Sequence, residues 1–450
     1  MRKNDVLTLR VEAFGSEAEG LCRHEGQVIF VPGALPGEVI EALIVKAHRS
    51  HAFGKLLRVV EASPEREEPP CPYYPRCGGC SCQHMRYEAE LAFKQSHVRD
   101  VLARVGGVQI EVPPVVGMDS PWHYRNKASQ PVSEVDGLPV SGFYARRSHR
   151  VIPVDKCLIA QPQSDRAAAI VLQWMRDNGI SAYDEATHTG QIRHIMTRVN
   201  HRGQTMVTLA ANADTLPHTQ ALAQALQAGL SGFASLCLSA NLDKGNVILG
   251  RGYRTLWGEE RLVDRLCGLD FSLSPLSFFQ VNRTQAERLY QLALDFAAPT
   301  SRDLVFDLYC GAGTISSVFA PRCGRVVGIE SVPQAVEDAR RNAQANGIEN
   351  VTFLQGAAEE LLPQMVKGGD RPDIVVLDPP RKGAAPQVLD AILQAAPRKI
   401  VYVSCHPGTQ ARDARRLSEG GYTATACAPV DMFCRTPDVE NVLLFEGGRA

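Results

Sequence analysis

Two groups of residues have types and spacing that can carry chemistry. Cys405 follows the apolar run KIVYVS and precedes His406-Pro407-Gly408-Thr409. A thiol at the last position of a strand, before a turn that breaks it, is presented rather than packed. Its thiolate can add to C6 of a uracil ring and so make C5 nucleophilic enough to take a methyl group; a base must then remove the C5 proton before the thiolate leaves. Glu440, within TPDVEN, is the candidate base, because Val439 and Val442 can shield its carboxyl and raise its pKa. The second group is Cys71-Pro-Tyr-Tyr-Pro-Arg-Cys77-Gly-Gly-Cys80, with small glycines that let the chain wrap around a metal centre. Cys157, in VDKCLIA, is preferred to Cys82 as the fourth thiol, since a distant ligand ties two segments together. Four thiolates suit zinc or an iron–sulfur cluster, and spacing alone leaves both open.

These groups need elements to position them. The 450 residues are 44% hydrophobic and 22% charged, enough to bury more than one core, so two or three domains are expected. Residues 5–61 alternate apolar and polar positions between glycine and proline turns, the pattern of a small β-barrel. A proline- and charge-rich run from Ser63 breaks that pattern and leads into the cysteines. Leu91, Val98, Leu102 and Val105 lie at helical spacing over residues 84–105, and a mixed α+β region follows to about residue 270.

From about residue 271 strands and helices alternate, which predicts an α/β, Rossmann-like parallel sheet covered on both faces. Asp307 to Gly313 (DLYCGAG) closes the first strand there and opens a helix, and Glu330 ends the next strand, where such sheets place the acid that binds ribose hydroxyls. The third glycine of a dinucleotide fingerprint is missing, so S-adenosylmethionine fits better than NAD. Asp378 heads the loop DPPRKG at the same edge; Arg381 stands where amino-methyltransferases carry a stacking aromatic, which points away from amino-group methylation.

The net charge of −1 gives no bulk electrostatic footprint for nucleic acid, so an RNA surface must be local. Trp122-His-Tyr-Arg125-Asn-Lys127 and Tyr144-Ala-Arg146-Arg147-Ser-His149-Arg150 interleave aromatic and basic residues as unpaired RNA requires, and Ser277-Phe278-Phe279-Gln280 is a further place to hold a base. No signal peptide or membrane span is apparent, so the expectation is a cytoplasmic protein, with no protein partner required and a monomer the simplest state.

Taken together, Cx5CGGC with Cys157, PWHYRNKA, GFYARRSH, SFFQVN, DLYCGAGT, LDPPRKG, VSCHPGT and the terminal DVE resemble the RNA (uracil-5-)-methyltransferase family over nearly the whole chain, most of all its bacterial 23S rRNA enzymes with an iron–sulfur cluster. The resemblance implies a TRAM-like RNA-binding barrel over residues 1–61, a central domain over 62–270 holding a [4Fe-4S] cluster on Cys71, Cys77, Cys80 and Cys157, and a methyltransferase domain over 271–450. It implies that Gln280, Tyr309, Glu330 and Asp378 contact S-adenosylmethionine, that Cys405 is the nucleophile and that Glu440 is the base. The chain departs from the family's pattern at His406 (commonly Asn), Asp438 (commonly His) and Thr314 (often Asn). Rival readings are a tRNA uridine-5 methyltransferase, another methyltransferase on the same sheet without a covalent step, and an iron–sulfur RNA-binding protein with a silent methyltransferase domain.

Overall fold

The computed structural model describes residues 1–447. Strands β1 (Val6–Phe14), β2 (Gly20–His24), β3 (Gln27–Val31), β4 (Val39–Ala47) and β5 (His51–Glu61) form a closed barrel in the order β1-β2-β3-β5-β4. Leu9, Val11, Ile29, Val31, Ile40 and Ile44 fill it, the inward half of each alternating strand. No helix or strand follows until α1 (Tyr87–Val101).

A second sheet takes the order β12-β11-β10-β9-β6-β7-β8, with β6 (Lys127–Val135), β7 (Leu138–Tyr144), β8 (Val151–Pro153), β9 (Ile192–Val199), β10 (Thr205–Ala211), β11 (Phe233–Ala240) and β12 (Arg254–Gly258). Helices α2 (Pro162–Asn178) and α3 (Thr219–Gly229) cover it through Val171, Trp174, Leu222 and Leu226.

After the hairpin β13 (Leu262–Leu266) and β14 (Leu269–Leu273) comes α4 (Arg283–Ala297), then the third sheet. It comprises β15 (Leu304–Leu308), β16 (Arg325–Glu330), β17 (Val351–Gln355), β18 (Ile374–Leu377), β19 (Lys399–Ser404), β20 (Thr423–Val430) and β21 (Glu440–Glu446). Their order is β17-β16-β15-β18-β19-β21-β20; β15 to β19 run parallel, and β21 lies antiparallel between β19 and β20. The crossovers are α5 (Thr314–Phe319), α6 (Pro333–Ala345), α7 (Ala358–Lys367), α8 (Pro386–Ala395) and α9 (Pro407–Glu419). Strands buried on both faces read as nearly continuous apolar runs, as in IVVL and KIVYVS.

The third core reaches back along the chain. Val98, Leu102, Val108, Val112 and Val115 pack with Phe306, Leu377, Tyr402 and Phe445 on one face of the third sheet, while Leu266, Phe271 and Leu273 join the core on the other. The division expected at residue 271 therefore falls inside a hairpin that belongs to this core, and the second sheet is an insertion between two parts of it. A buried triad locks α1 down: Lys94 Nζ lies 2.7 Å from Glu90 Oε1 and 2.5 Å from Asp431 Oδ1, all three side chains fully enclosed. Among the described residues, no helix is long and apolar enough to cross a membrane.

Candidate active site

Parallel strands deliver their carboxyl ends to one edge, and there the loops open a cavity of about 790 Å³. Its wall brings together Gln280, Tyr309, Glu330, Asp378, Cys405 and Glu440. Glu330 is fixed by three donors: Gly311 N reaches its Oε2 at 3.0 Å, while Val332 N at 2.8 Å and Ser331 Oγ at 3.2 Å reach Oε1. Gly313 adopts φ 77° and its Cβ, if present, would stand 2.8 Å from the Phe353 ring, so the turn admits only glycine. Tyr309 is a non-glycine residue at φ 66°, a strained conformation, and its hydroxyl donates to Glu359 Oε1 at 3.4 Å. Of the two phenylalanines of SFFQVN, Phe279 is core and Phe278 stands 68% exposed at the cavity. Thr314, in place of the asparagine often found there, meets the Tyr290 hydroxyl at 3.1 Å.

The charge pattern at the deep end is acidic. Burial pushes the Asp378 carboxyl up to about 7. Glu440 is 3% exposed; burial first, then the neighbouring Asp378 and Asp438, hold its pKa well above the ordinary carboxylate range, and its Oε2 has no hydrogen-bond partner. Burial, then Glu440 and Asp378, push the Cys405 thiol up to about 11, and Arg381 beside it pulls the other way. Such an arrangement can carry a nucleophile and, separately, a proton acceptor.

Two residues of this site escaped the sequence reading. Arg381 lies against Cys405 and pairs with Asp438 Oδ1 at 2.9 Å. The only sequence signal was its place after Asp378-Pro-Pro, read there for what it is not. Asp307 is buried with Oδ2 accepting from Ser316 Oγ at 2.5 Å and Oδ1 unpartnered; burial raises it to about 7. Its position at the head of DLYCGAG was the available signal. His406 caps α9, its Nδ1 accepting from Thr409 N at 3.2 Å.

Cys71, Cys77, Cys80 and Cys157 line a second cavity of about 380 Å³, whereas Cys82 is packed with Ala18, Leu35, Met85 and Phe93. Burial raises the Cys80 thiol to about 12, with Cys157, Cys77 and Cys71 adding to it, and raises Cys157 to about 11 against the pull of the Ala160 and Ile159 amides. Gly79 N donates to Cys77 Sγ at 3.4 Å. Among the described residues, no three His, Cys, Asp or Glu side chains converge closely enough to hold one metal ion. The four thiols share the lining of this cavity with Tyr73, Arg125, Phe143 and others. Arg381, Phe433 and Asp438 line this cavity too, and Phe433 is shared with the first.

The expected RNA surface divides. Trp122 lies under the Arg435 guanidinium at 4.6 Å, the Tyr124 hydroxyl is buried against Cys434 O at 3.0 Å, and Arg125 faces the thiols, so that motif is largely structural. Arg146, Arg147, His149 and Arg150 remain exposed.

Comparison with known proteins adds the following. The family model described as tRNA (Uracil-5-)-methyltransferase matches residues 86–447, and the TRAM domain model matches residues 2–57, over the closed barrel. A protein named as an uncharacterized RNA methyltransferase in Halalkalibacterium halodurans is 42% identical over 99% of this chain and 98% of its own length. Another so named in Listeria innocua is 43% identical over 98% of each. The crystal structure of Pyrococcus abyssi tRNA (uracil-54, C5)-methyltransferase in complex with S-adenosyl-L-homocysteine superposes with a TM-score of 0.78 at 25% identity, covering 97% of this chain and 99% of that one.

Proposed function

Because the chain belongs to the tRNA (uracil-5-)-methyltransferase family, we propose that it methylates C5 of a uridine in RNA through a covalent adduct on Cys405, with Glu440 as the base. The observation that carries this reading is the shared cavity, in which a strand-end thiol and a buried carboxyl stand beside Gln280, Tyr309, Glu330 and Asp378.

Bound S-adenosylmethionine supplies the methyl group. Glu330, held by the Gly311 and Val332 amides, is free to accept from the ribose hydroxyls, and the Gly311–Gly313 turn leaves backbone room for the cofactor. Gln280, Tyr309 and Asp378 complete its wall. The Cys405 proton passes to solvent, the Arg381 charge favours the thiolate that remains, and the sulfur adds to C6 of the uracil. The enolate so formed takes the methyl group at C5. Glu440 then removes the C5 proton, the C5–C6 double bond returns and the Cys405 sulfur leaves.

We assign a [4Fe-4S] cluster to Cys71, Cys77, Cys80 and Cys157, supported by their place on one cavity and by amides directed at Cys77 and Cys157. Arg381, Asp438 and Phe433, which line this cavity, also border the Cys405 site, which favours a positioning role for the cluster. Residues 1–61 are the proposed RNA-binding region, 62–270 the proposed cluster-bearing region and 271–450 the proposed methyltransferase region, except that 87–117 and the hairpin from Leu262 pass from the second to the third. The proposed substrate is 23S rRNA, on the cysteine motif; a tRNA is the second reading, favoured by the likeness to the Pyrococcus abyssi enzyme.

Tritium release from RNA labelled at uridine C5 tests the chemistry and the target together. Ribosomal RNA and tRNA from cells lacking the enzyme are offered with S-adenosylmethionine to wild type and Cys405→Ala. Release from the 23S fraction, matched by methyl incorporation and lost in Cys405→Ala, supports the proposal. Release from tRNA alone moves the target, and full activity of Cys405→Ala removes the covalent step.

A further inference from the structure

Among the described residues, every one lining the catalytic cavity lies between Leu276 and Glu440 except Arg251, which the second sheet contributes from the loop joining β11 to β12. The wall is otherwise acidic, with Glu330, Asp338, Glu359, Asp378 and Glu440; its two cations are Arg251 and Lys382. Asp338 already has its partner in Arg261. Among the described residues the exposed Arg251 side chain makes neither a hydrogen bond nor an ion pair.

The loop carrying it is exposed yet tightly built. Arg193, 6% exposed, donates to three of its carbonyls: Asn241 O at 2.8 Å, Asp243 O at 2.7 Å and Gly245 O at 3.2 Å. Asn241 Nδ2 donates to Val247 O at 2.5 Å and Ile248 O at 3.1 Å. Ser239 Oγ donates to Gly252 O at 2.8 Å and accepts from Gly250 N at 3.0 Å. A Cβ on Gly250 would fall 1.7 Å from Ala240 O, so glycine is required where the loop returns. This scaffold presents Leu242 at 58%, Val247 at 68% and Ile248 at 37% exposure. Exposed apolar side chains held on a rigid loop mark a contact surface, and a free cation at the rim of an acidic cavity marks the place of an anion.

We propose that the loop over residues 241–253 is a substrate-engaging finger. Arg251 pairs with a backbone phosphate beside the uridine that enters the cavity, and Leu242 and Val247 rest against unpaired bases next to it. This rests on the reading of the protein as an RNA methyltransferase. The other anion that could reach Arg251 is the carboxylate of S-adenosylmethionine, and the two sources are separable.

RNA affinity is measured directly, at several salt concentrations, alongside KM for RNA, KM for S-adenosylmethionine and kcat, for wild type, Arg251→Gln, Arg251→Lys and the double variant Leu242→Ser, Val247→Ser. Arg251→Gln should weaken RNA binding about tenfold, the worth of a charge-assisted hydrogen bond, and flatten the dependence of log affinity on log salt by about one. Arg251→Lys should restore most of both, and the double variant should lose affinity with the slope unchanged. KM for S-adenosylmethionine and kcat should hold within about twofold for Arg251→Gln. Unchanged RNA affinity and slope in Arg251→Gln would overturn the inference, as would a raised KM for S-adenosylmethionine alone. Wild type that binds RNA without methylating it would count against the proposed activity and leave the binding comparison intact.

Discussion

Arg381 and Asp438 form an ion pair at 2.9 Å, and the same guanidinium lies against the Cys405 thiol, so one cation is shared between a carboxylate and the nucleophile. Asp438 also stands close enough to Glu440 to raise its pKa. The side chain two residues before the base therefore acts on both groups of the proposed reaction.

Asp438→Asn should move the acidic limb of the pH–rate profile to lower pH. Removing the negative charge lowers the Glu440 pKa, and releasing Arg381 from its partner lowers that of Cys405. Both groups work deprotonated, so both changes extend activity downward in pH. Asp438→His, the residue the family commonly carries, should shift the limb in the same direction. A profile of kcat/KM against pH checks this; an unmoved limb in both variants would deny Asp438 any part in tuning the site.

Glu440→Gln should stop the reaction after methyl transfer. Without a base the C5 proton stays and the sulfur cannot leave, so enzyme and RNA remain covalently joined. A denaturing gel should show a slow-migrating complex in Glu440→Gln with S-adenosylmethionine and RNA, absent when Cys405→Ala is added.

Protein purified without oxygen should contain iron and acid-labile sulfide in a one-to-one ratio, and Cys157→Ser should lose both. Burial raises the Cys80 and Cys157 thiols to about 12 and 11, so they give up protons to solvent when they ligate a cluster as thiolates. Zinc without sulfide would replace the cluster by a metal ion and require the thiols to move together.

Lys94→Met should destabilise the protein by about 3–5 kcal/mol, since it leaves Glu90 and Asp431 buried without their cation. Burial already lifts Glu90 to about 7, and loss of Lys94 lifts it further. A carboxyl whose folded pKa exceeds its unfolded value loses stability as pH rises through the folded pKa. The gap from wild type should therefore be larger at pH 8 than at pH 6, measured as denaturant midpoints at the two pH values.

The third sheet was legible because each motif sits at the carboxyl end of a strand: Glu330 after RVVGI, Asp378 after IVVL, Cys405 after KIVYVS. Helical spacing over residues 84–105 located α1, and Val98 and Leu102 are indeed core. Val105 is 43% exposed because the helix widens into a π turn over Leu102–Gly106 and stops at Gly107, φ 67°, where the 3.6-residue period no longer holds. Nothing local singles out Lys94 and Glu90, since their partner Asp431 lies 337 residues beyond Lys94. Arg381 and Asp438 meet only because β21 returns beside β19, a pairing that no local pattern encodes. Charged residues are mostly exposed, so a buried ion triad carries no local sequence signal of its own.

The second sheet joins the third unit by two crossings of the chain, one on each side of the insertion, and Asn126 Nδ2 adds a bond to Gln280 O at 2.9 Å. Arg198 Nη2 also donates to Ser277 O at 2.6 Å, Asn126 N to Val281 O at 2.8 Å and Asn200 Nδ2 to Val263 O at 2.7 Å. A loop carried on this sheet is therefore held in registry with the cavity by bonds spread along the seam as well as by the two crossings of the chain.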